Sequence, residues 1–478
     1  MSQGLPLCVD LDGTLIHSDM LHESSLRLLG ATPLSLLKIL FWLASGKAVL
    51  KRQLTDRLIF DPAALPYNEE LIFWLRQQRS EGRSLVLCTA SDIGVADAIA
   101  VHLNLFDEVI ASDGVITLAG RHKAAALVAR YGERGFDYAG NSVADLPVWE
   151  HARRAIVVNA TARLQKGAED CVEIEQVFVA PARGLGVWRK ALRVHQWLKN
   201  LLLFVPLFAA HRVGEMAMWL TLGLAFVAFS LCASSVYIAN DLLDLESDRK
   251  HPRKRKRPFA AGVLPVWQGG GVAPLLLVIS LGLAHFVGGA FLPWLTGYFL
   301  LTCLYSLKLK QVVIVDCLML AVLYTLRIVA GAAAMEMSLS FWLLAFSSFL
   351  FLSLAFVKRF AELQLQLLQG KHKAARRGYF TDDAPLVQML GIVAGYAAVL
   401  VLALYLNSAD VLRLYRVPEW IWGCVPVMLF WVSWVWLQAH RGQMHDDPLV
   451  FAVNDKASLL AGSAFALFVM LGIVGWVP

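Results

Sequence analysis

The stretch Tyr237–Gly262, "YIANDLLDLESDRKHPRKRKRPFAAG", places four acids and seven bases within seventeen positions. It follows "LGLAFVAFSLCASSV" (residues 222–236), which carries no charge. Asp241, Asp244 and Asp248 are spaced i, i+3, i+7, so on a helix they share one face, with Asn240 on the same stripe. A charged side chain facing lipid costs about 3 kcal/mol at the bilayer centre, and like charges repel. Three carboxylates on one face are therefore tolerable only at a wet interface or around a cation. Hard oxygen donors of this kind suit Mg2+, which keeps several waters and completes its shell with substrate phosphates. The plain alternatives are a solvated acidic helix end and, for Arg249–Arg257 alone, a topology anchor on anionic lipid.

The surroundings make the membrane reading general. Of 478 residues, 58% are hydrophobic and 17% charged, against about 45–50% and about 25% in soluble domains. The excess is uneven: residues 1–180 read as an ordinary globular domain, and long uncharged runs begin near 197. Apolar windows able to cross about 30 Å of hydrocarbon fall near 197–211, 216–238, 264–288, 291–307, 312–334, 340–357, 386–406, 419–437 and 458–477, predicting nine transmembrane helices. With the N-terminal domain cytoplasmic, the segments on its side hold twenty-two Lys and Arg against Arg212, Arg413 and Arg416 on the other. This bias orients the bundle in a bacterial-type inner membrane with the C-terminus on the far side. The start "MSQGLPLCVDLDGTL" lacks the basic and apolar regions of a signal peptide. The seven cysteines show no metal spacing and read as reduced.

A second polar constellation interrupts the apolar run "YSLKLKQVVIVDCLMLAVLYTLR" at Tyr305, Lys308, Asp316 and Arg327. Asp316 and Arg327 lie eleven apart, close to three helical turns, so both can face one interior stripe. Polar groups recur in "LRVHQWLKN" (His195, Gln196, Lys199, Asn200), "FVKRFAEL" (Lys358, Arg359, Glu362) and "QMHDDPLVFAVNDKASL" (His445, Asp446, Asp447, Asp455). The pattern NDxxDxxxD at a membrane helix end resembles the UbiA-type intramembrane prenyltransferases over roughly 190–478. That resemblance implies an all-α polytopic bundle in which Asp241, Asp244 and Asp248 hold Mg2+ and, through it, a diphosphate leaving group. Many relatives carry DxxxD in the second constellation; here Asp316 is followed by Leu320, leaving Asp316 as one further expected metal ligand. QWxKN (Gln196–Asn200), HPxKRxRP (His251–Pro258) and KRxxE (Lys358–Glu362) resemble the decaprenyl-phosphate phosphoribosyltransferase branch. Expected substrate contacts are Lys199, Asn200, Asn240, Lys250, Lys254, Arg257, Tyr305, Lys308, Arg327, Lys358, Arg359 and Glu362.

The N-terminal part carries its own chemistry. "LPLCVDLDGTLIHSD" is a short apolar run ending in Asp10 and Asp12, which at the carboxyl end of a parallel strand would point into the ligand crevice of an α/β sheet. "SLVLCTAS" ends in Thr89 and Ser91, Lys123 follows "FDEVIASDG", and "FDYAGNSVADLPVW" supplies Asn141 and Asp145. The order resembles the haloacid-dehalogenase-like (HAD) phosphohydrolases over about 5–160. The resemblance implies a Rossmannoid α/β domain in 1–182 with a helical cap near 16–83. It implies Asp10 as nucleophile and Asp12 as general acid/base, Thr89 and Lys123 on phosphate, and Asp10, Asp12, Asn141 and Asp145 around Mg2+. The family often has GDxxxD in the last motif, where this chain has Gly140-Asn141 and then Asp145. Within the cap, "TPLSLLKILFWLASGKAVLKR" reads as cap core or as an interfacial helix. "APARGLGVWRK" (180–190) reads as a short linker.

Together the motifs predict a bifunctional membrane enzyme: Mg2+-dependent transfer of 5-phosphoribosyl from phosphoribosyl diphosphate to a polyprenyl phosphate, followed by dephosphorylation of the product. A prenyltransferase using a polyprenyl diphosphate and an aromatic acceptor is the enzymatic alternative; a lipid transporter or scaffold is the non-enzymatic one. The expected partners are the polyprenyl lipid, the phosphorylated sugar and membrane lipids. Nucleic acid is not among them, and a homo-oligomer is compatible with the sequence.

Overall fold

The computed structural model describes residues 5–32, 35–55, 60–113, 117–370, 372, 377–408, 411, 414–444 and 447–475. It divides into two compact units, residues 1–192 with 237–273, and residues 193–236 with 274–478.

The first unit is built on a sheet whose inner strands are buried on both sides. β1 (Leu7–Val9), β2 (Leu85–Asp92), β3 (Glu108–Ser112), β4 (Asp137–Gly140), β5 (Ala155–Ala160) and β6 (Ile174–Val179) form one parallel sheet in the order 3-2-1-4-5-6. Side chains alternate across it. Leu7, Val9, Leu87 and Ile156 enter one core, and Cys8, Val86 and Val157 enter the other. Three helices, α1 (Met20–Ala31), α2 (Ser35–Ala44) and α3 (Lys47–Thr55), form a small cap around Ile39, Leu50 and Leu54. Residues expected in the cap up to 83 instead include α4 (Glu69–Ser80), whose Leu71, Ile72 and Leu75 line the sheet's own core. α5 (Ile93–Leu103) covers the same face; α6 (Arg121–Tyr131), α7 (Leu146–Trp149) and α8 (Ala162–Glu169) supply Leu127, Trp149 and Leu164 to the other.

After α9 (Leu185–Ala191) the second unit is helical. The window 197–211, expected to span, is a 3-10 stretch Val194–Phe204 followed by the five-residue α10 (Val205–Ala209). The reason is local. Lys199 and Asn200 are buried to bond inward, and Pro206 in the first turn of α10 lacks the N–H that a continuous helix requires. The stretch packs so closely on its neighbour that a Cβ at Gly331 would lie 2.1 Å from the Leu203 carbonyl oxygen.

α11 (Met216–Leu243), α12 (Leu245–Lys250), α13 (Val266–Val287), α14 (Phe291–Leu307), α15 (Val315–Ala334), α16 (Phe341–Leu368), α17 (Ala384–Leu406), α18 (Cys424–His440), α19 (Pro448–Asn454) and α20 (Lys456–Val474) follow. Among the described residues seven helical segments are long and apolar enough to cross a membrane, in place of the nine expected. They are α11, α13, α15, α16 and α20, together with α17 and α18 extended by the turns preceding them. α14 has 17 residues, about 26 Å at 1.5 Å per residue, short of the hydrocarbon core. α15 to α18 share a core of Phe356, Phe360, Val432 and Trp436.

Candidate active sites

In the first unit the functional side chains gather at the carboxyl ends of β1, β2 and β4, where the strand order reverses. Lys123, buried in the first turn of α6, donates to Asp10 Oδ1 at 2.7 Å and to the Tyr138 hydroxyl at 2.8 Å. Tyr138 in turn donates to Asp145 Oδ1 at 2.9 Å. Asp145 Oδ2 accepts from the Asn141 and Ser142 amides and the Ser142 hydroxyl, which closes the turn after β4. Asp12 accepts from Ser91 Oγ at 2.6 Å and from the Met20 amide at 2.8 Å. Thr89 is fully buried, its hydroxyl accepting from the Ser91 amide. Gly13 has φ +77°, and a Cβ there would meet Asn141 Nδ2 at 2.1 Å, so the loop after β1 requires glycine.

Burial pushes the Asp10 carboxyl up to about 7; Lys123 pulls against it, while Asp145 and Asp12 push with it. Burial, and then Asp19, also raises Asp12, against the bonds from Ser91 and Met20. Tyr138 and the cap lysine Lys51, which donates to the Ala90 carbonyl at 2.7 Å, were not legible as site residues. Tyr138 is signalled in hindsight only by period-two alternation in "DYAG".

The acidic stretch also lies in this unit. The helix expected to carry all three aspartates breaks at Asp244, which caps α12. Asp241 and Asp248 still converge, because Arg257 Nη1 reaches both, at 3.1 Å and 2.5 Å. Asp248 is buried, and its Oδ1 accepts no hydrogen bond; Lys254 Nζ stands 3.9 Å away. Two carboxylates thus close on one positive centre and retain an unused buried oxygen, an arrangement that fits a divalent cation. Lys250, expected on substrate, is exposed and pairs with Asp61 and Glu246. Among the described residues no three of His, Cys, Asp and Glu form a metal-holding group. The Asp241–Asp248 pair offers two carboxylates, which suits an ion whose remaining ligands are water and phosphate.

In the second unit Lys199 Nζ and Lys358 Nζ meet Asp447 Oδ2 at 2.7 Å and 3.2 Å, and Tyr324 donates its hydroxyl to Asp447 Oδ1 at 3.0 Å. Arg327 bonds Asn200 Oδ1 at 2.9 Å and the Tyr298 hydroxyl at 3.0 Å, its guanidinium lying over the rings of Phe229, Tyr298 and Tyr324. Among the described residues three cations thus stand against one acid here, a surplus of positive charge with anion-binding character.

Asp316 and Arg327, expected on one stripe, are both buried but keep separate company. Asp316 accepts from the Tyr379 hydroxyl at 2.6 Å and the Cys317 amide at 2.8 Å, and faces Arg359 at 2.5 Å and Arg377 at 3.4 Å. Its oxygens are taken by donors of the chain, so the expected metal ligand is instead the centre of a buried clamp. Arg359, fully buried, pairs with Asp316 and Glu362, and Arg377 also reaches Glu362 at 3.3 Å. Of these two expected substrate contacts, Arg359 ties α16 to α15 through Asp316, and Glu362 ties α16 to the Arg377 loop. Tyr305 packs on the core beside α14's other side chains, Lys308 is exposed at that helix's end, and Asn240 is half-buried. His445 and Asp446 lie outside the described residues.

Residues 201–460 match the UbiA prenyltransferase family. The y4nM protein of Sinorhizobium fredii, itself of uncharacterised function, is 38% identical over 98% of this chain and 91% of its own length, so its similarity runs through both parts. Nodulation protein NoeC of Azorhizobium caulinodans is 37% identical over 58% of this chain and 90% of that protein. Decaprenyl-phosphate phosphoribosyltransferase of Mycobacterium tuberculosis is 34% identical over 46% of this chain and 74% of that protein.

Proposed function

This chain belongs to the UbiA family of integral membrane transferases, and from that premise we propose that it moves a 5-phosphoribosyl group from phosphoribosyl diphosphate onto a polyprenyl phosphate. The observation that carries the reading is the surplus of cations, buried Lys199 and Arg327 with the partly exposed Lys358, around Asp447, the one acid among the described residues they meet. A donor bearing a diphosphate and a 5-phosphate, and an acceptor bearing a third phosphate, call for such charge. The similarity to phosphoribosyltransferases supports it.

In this mechanism Asp241 and Asp248 would hold Mg2+, with Asp244 beside them, and the bound ion would supply charge neutralisation to the leaving diphosphate. Arg257 and Lys254 take up the remaining phosphate charge. The C1–O bond of the sugar breaks, an oxocarbenium-like carbon develops, and an oxygen of the polyprenyl phosphate attacks it. The protein contributes orientation and preorganised charge. The apolar helices hold the isoprenoid, at about 0.8 kcal/mol per buried CH2.

The α/β unit then removes the 5-phosphate of the product. Asp10 attacks phosphorus, Lys123 and Thr89 hold the phosphate, and Asp12 passes a proton to the departing ribose oxygen and later accepts one from water. Asp10, Asn141 and Asp145 supply carboxylate and amide oxygens for Mg2+. The loop charge bias supports a cytoplasmic α/β unit and a C-terminus on the opposite side.

The test uses purified protein in detergent with Mg2+, polyprenyl phosphate and labelled phosphoribosyl diphosphate. Label is expected in the lipid fraction, lost in Asp241→Ala, with a more charged lipid accumulating in Asp10→Asn. No labelled lipid, together with consumption of a polyprenyl diphosphate, would replace this reading by prenyl transfer.

A further inference from the structure

Arg249 follows the third aspartate of the acidic stretch, yet it does not face that cluster. Its guanidinium grips Glu23 of cap helix α1, Nη2 to Oε1 at 2.6 Å and Nη1 to Oε2 at 3.1 Å. Nε donates to the Ala260 carbonyl at 2.9 Å and Nη1 also approaches the Ala64 carbonyl at 3.4 Å. The two side chains are 6% and 4% exposed. A bidentate pair this buried fixes position as well as charge. Around it Arg27 meets Glu246 at 3.3 Å and Lys250 meets Asp61 at 2.8 Å. A Cβ on Gly262, where φ is +70°, would meet the His17 Cβ at 2.5 Å.

The other end of this helix connection is the hydrolase site. Asp12 accepts from the Met20 amide in the first turn of α1, Gly13 N donates to the Ser18 carbonyl, and Ser18 donates its hydroxyl to Glu23. One short segment, Ser18–Glu23, therefore touches the Asp10–Asp12 loop and holds the loop that returns Arg257 to Asp241 and Asp248.

We propose that Glu23 is a positioning residue for the transferase: through Arg249 it sets the 245–262 loop, so that the first cap helix of the hydrolase unit completes the diphosphate-binding part of the membrane enzyme. This rests on the function proposed above. The loop has little apolar packing of its own across Arg249–Arg257, where seven of nine residues are exposed. Its return path is held by Arg249 bonding to Ala260 and Glu23 together.

The experiment compares the full-length wild type, Glu23→Gln and Glu23→Asp, the last keeping a carboxylate for Arg249. Hydrogen exchange without ligand is expected to quicken over 245–262 in Glu23→Gln and to stay nearer wild type in Glu23→Asp. The KM for phosphoribosyl diphosphate is expected to rise about tenfold or more in Glu23→Gln, with the KM for polyprenyl phosphate unchanged, and to rise less in Glu23→Asp. Wild-type hydrogen exchange and KM in Glu23→Gln overturn the proposal, as does an equal rise in both KM values. Were Glu23→Gln to misfold, a Glu23→Asp protein with a loosened 245–262 loop but wild-type sugar-diphosphate KM would also overturn it. If the wild type transfers no phosphoribosyl group, the proposed function falls, and loop exchange alone decides whether Glu23 holds the loop.

Discussion

Replacing Asp316 by alanine separates a structural clamp from a metal ligand. The carboxylate is fully buried, with Tyr379, the Cys317 amide, Arg359 and Arg377 around it. Removing it leaves Arg359, itself fully buried, with Glu362 as its remaining carboxylate partner. Breaking a buried ion pair from one side costs about 3–5 kcal/mol, and the surviving Glu362 contact places this case in the lower half. At roughly 2–4 °C per kcal/mol for a unit of this size, the unfolding midpoint is expected to fall by roughly 10 °C. The assay is thermal unfolding in detergent with a thiol-reactive dye, since Cys317 and Cys424 are free and buried. Enzyme that remains folded is expected to show the wild-type Mg2+ dependence of transfer. A midpoint within about 2 °C of wild type, with a large shift in the Mg2+ requirement, would refute the clamp and return Asp316 to the metal.

Other substitutions probe separate features. Arg257→Gln removes the cation shared by Asp241 and Asp248; substrate-free protein is expected to bind Mg2+ more tightly by calorimetry, while the KM for the sugar diphosphate rises about tenfold. Gly331→Ala drives a methyl group into the Leu203 carbonyl, which backbone cannot easily yield; a loss of about 1–3 kcal/mol is expected by the same dye assay. A carboxyl whose folded pKa is raised to about 7 contributes stability that is complete below its unfolded value near 4 and lost as pH rises through about 7. The penalty of Asp10→Asn in Mg2+-free protein is therefore expected to shrink between those limits, measured as the difference in unfolding midpoint from wild type.

What could be read from the sequence was local. Asp10, Asp12, Thr89 and Asp145 are legible because each sits at or just beyond the end of an apolar run, and strand ends in a parallel sheet define the crevice. The stretch from Asp241 to Arg257 is legible because its charges are dense and adjacent. Asp447 was visible only as one acid in a polar loop. Its partner Lys199 is 248 positions away, and no periodicity reports so distant a pairing. Asp316 is a related case: from sequence it stands alone in an apolar run, and the Arg377 and Tyr379 that close around it come from another loop. The first expected span failed because hydropathy averages over Lys199 and Asn200, whose inward bonds decide the backbone path.

α16 runs for 28 residues without a break, about 42 Å, against about 30 Å of hydrocarbon. Lys358 lies about 26 Å along it, where the uncharged run Phe341–Val357 ends. On the proposed function, an acceptor phosphate that meets Lys358 there would enter sideways from its own leaflet, tail between the helices, with no need to drag an anion into oil. The glycolipid would then leave at the depth where it was made, and crossing to the opposite leaflet would fall to a separate lipid-flipping step.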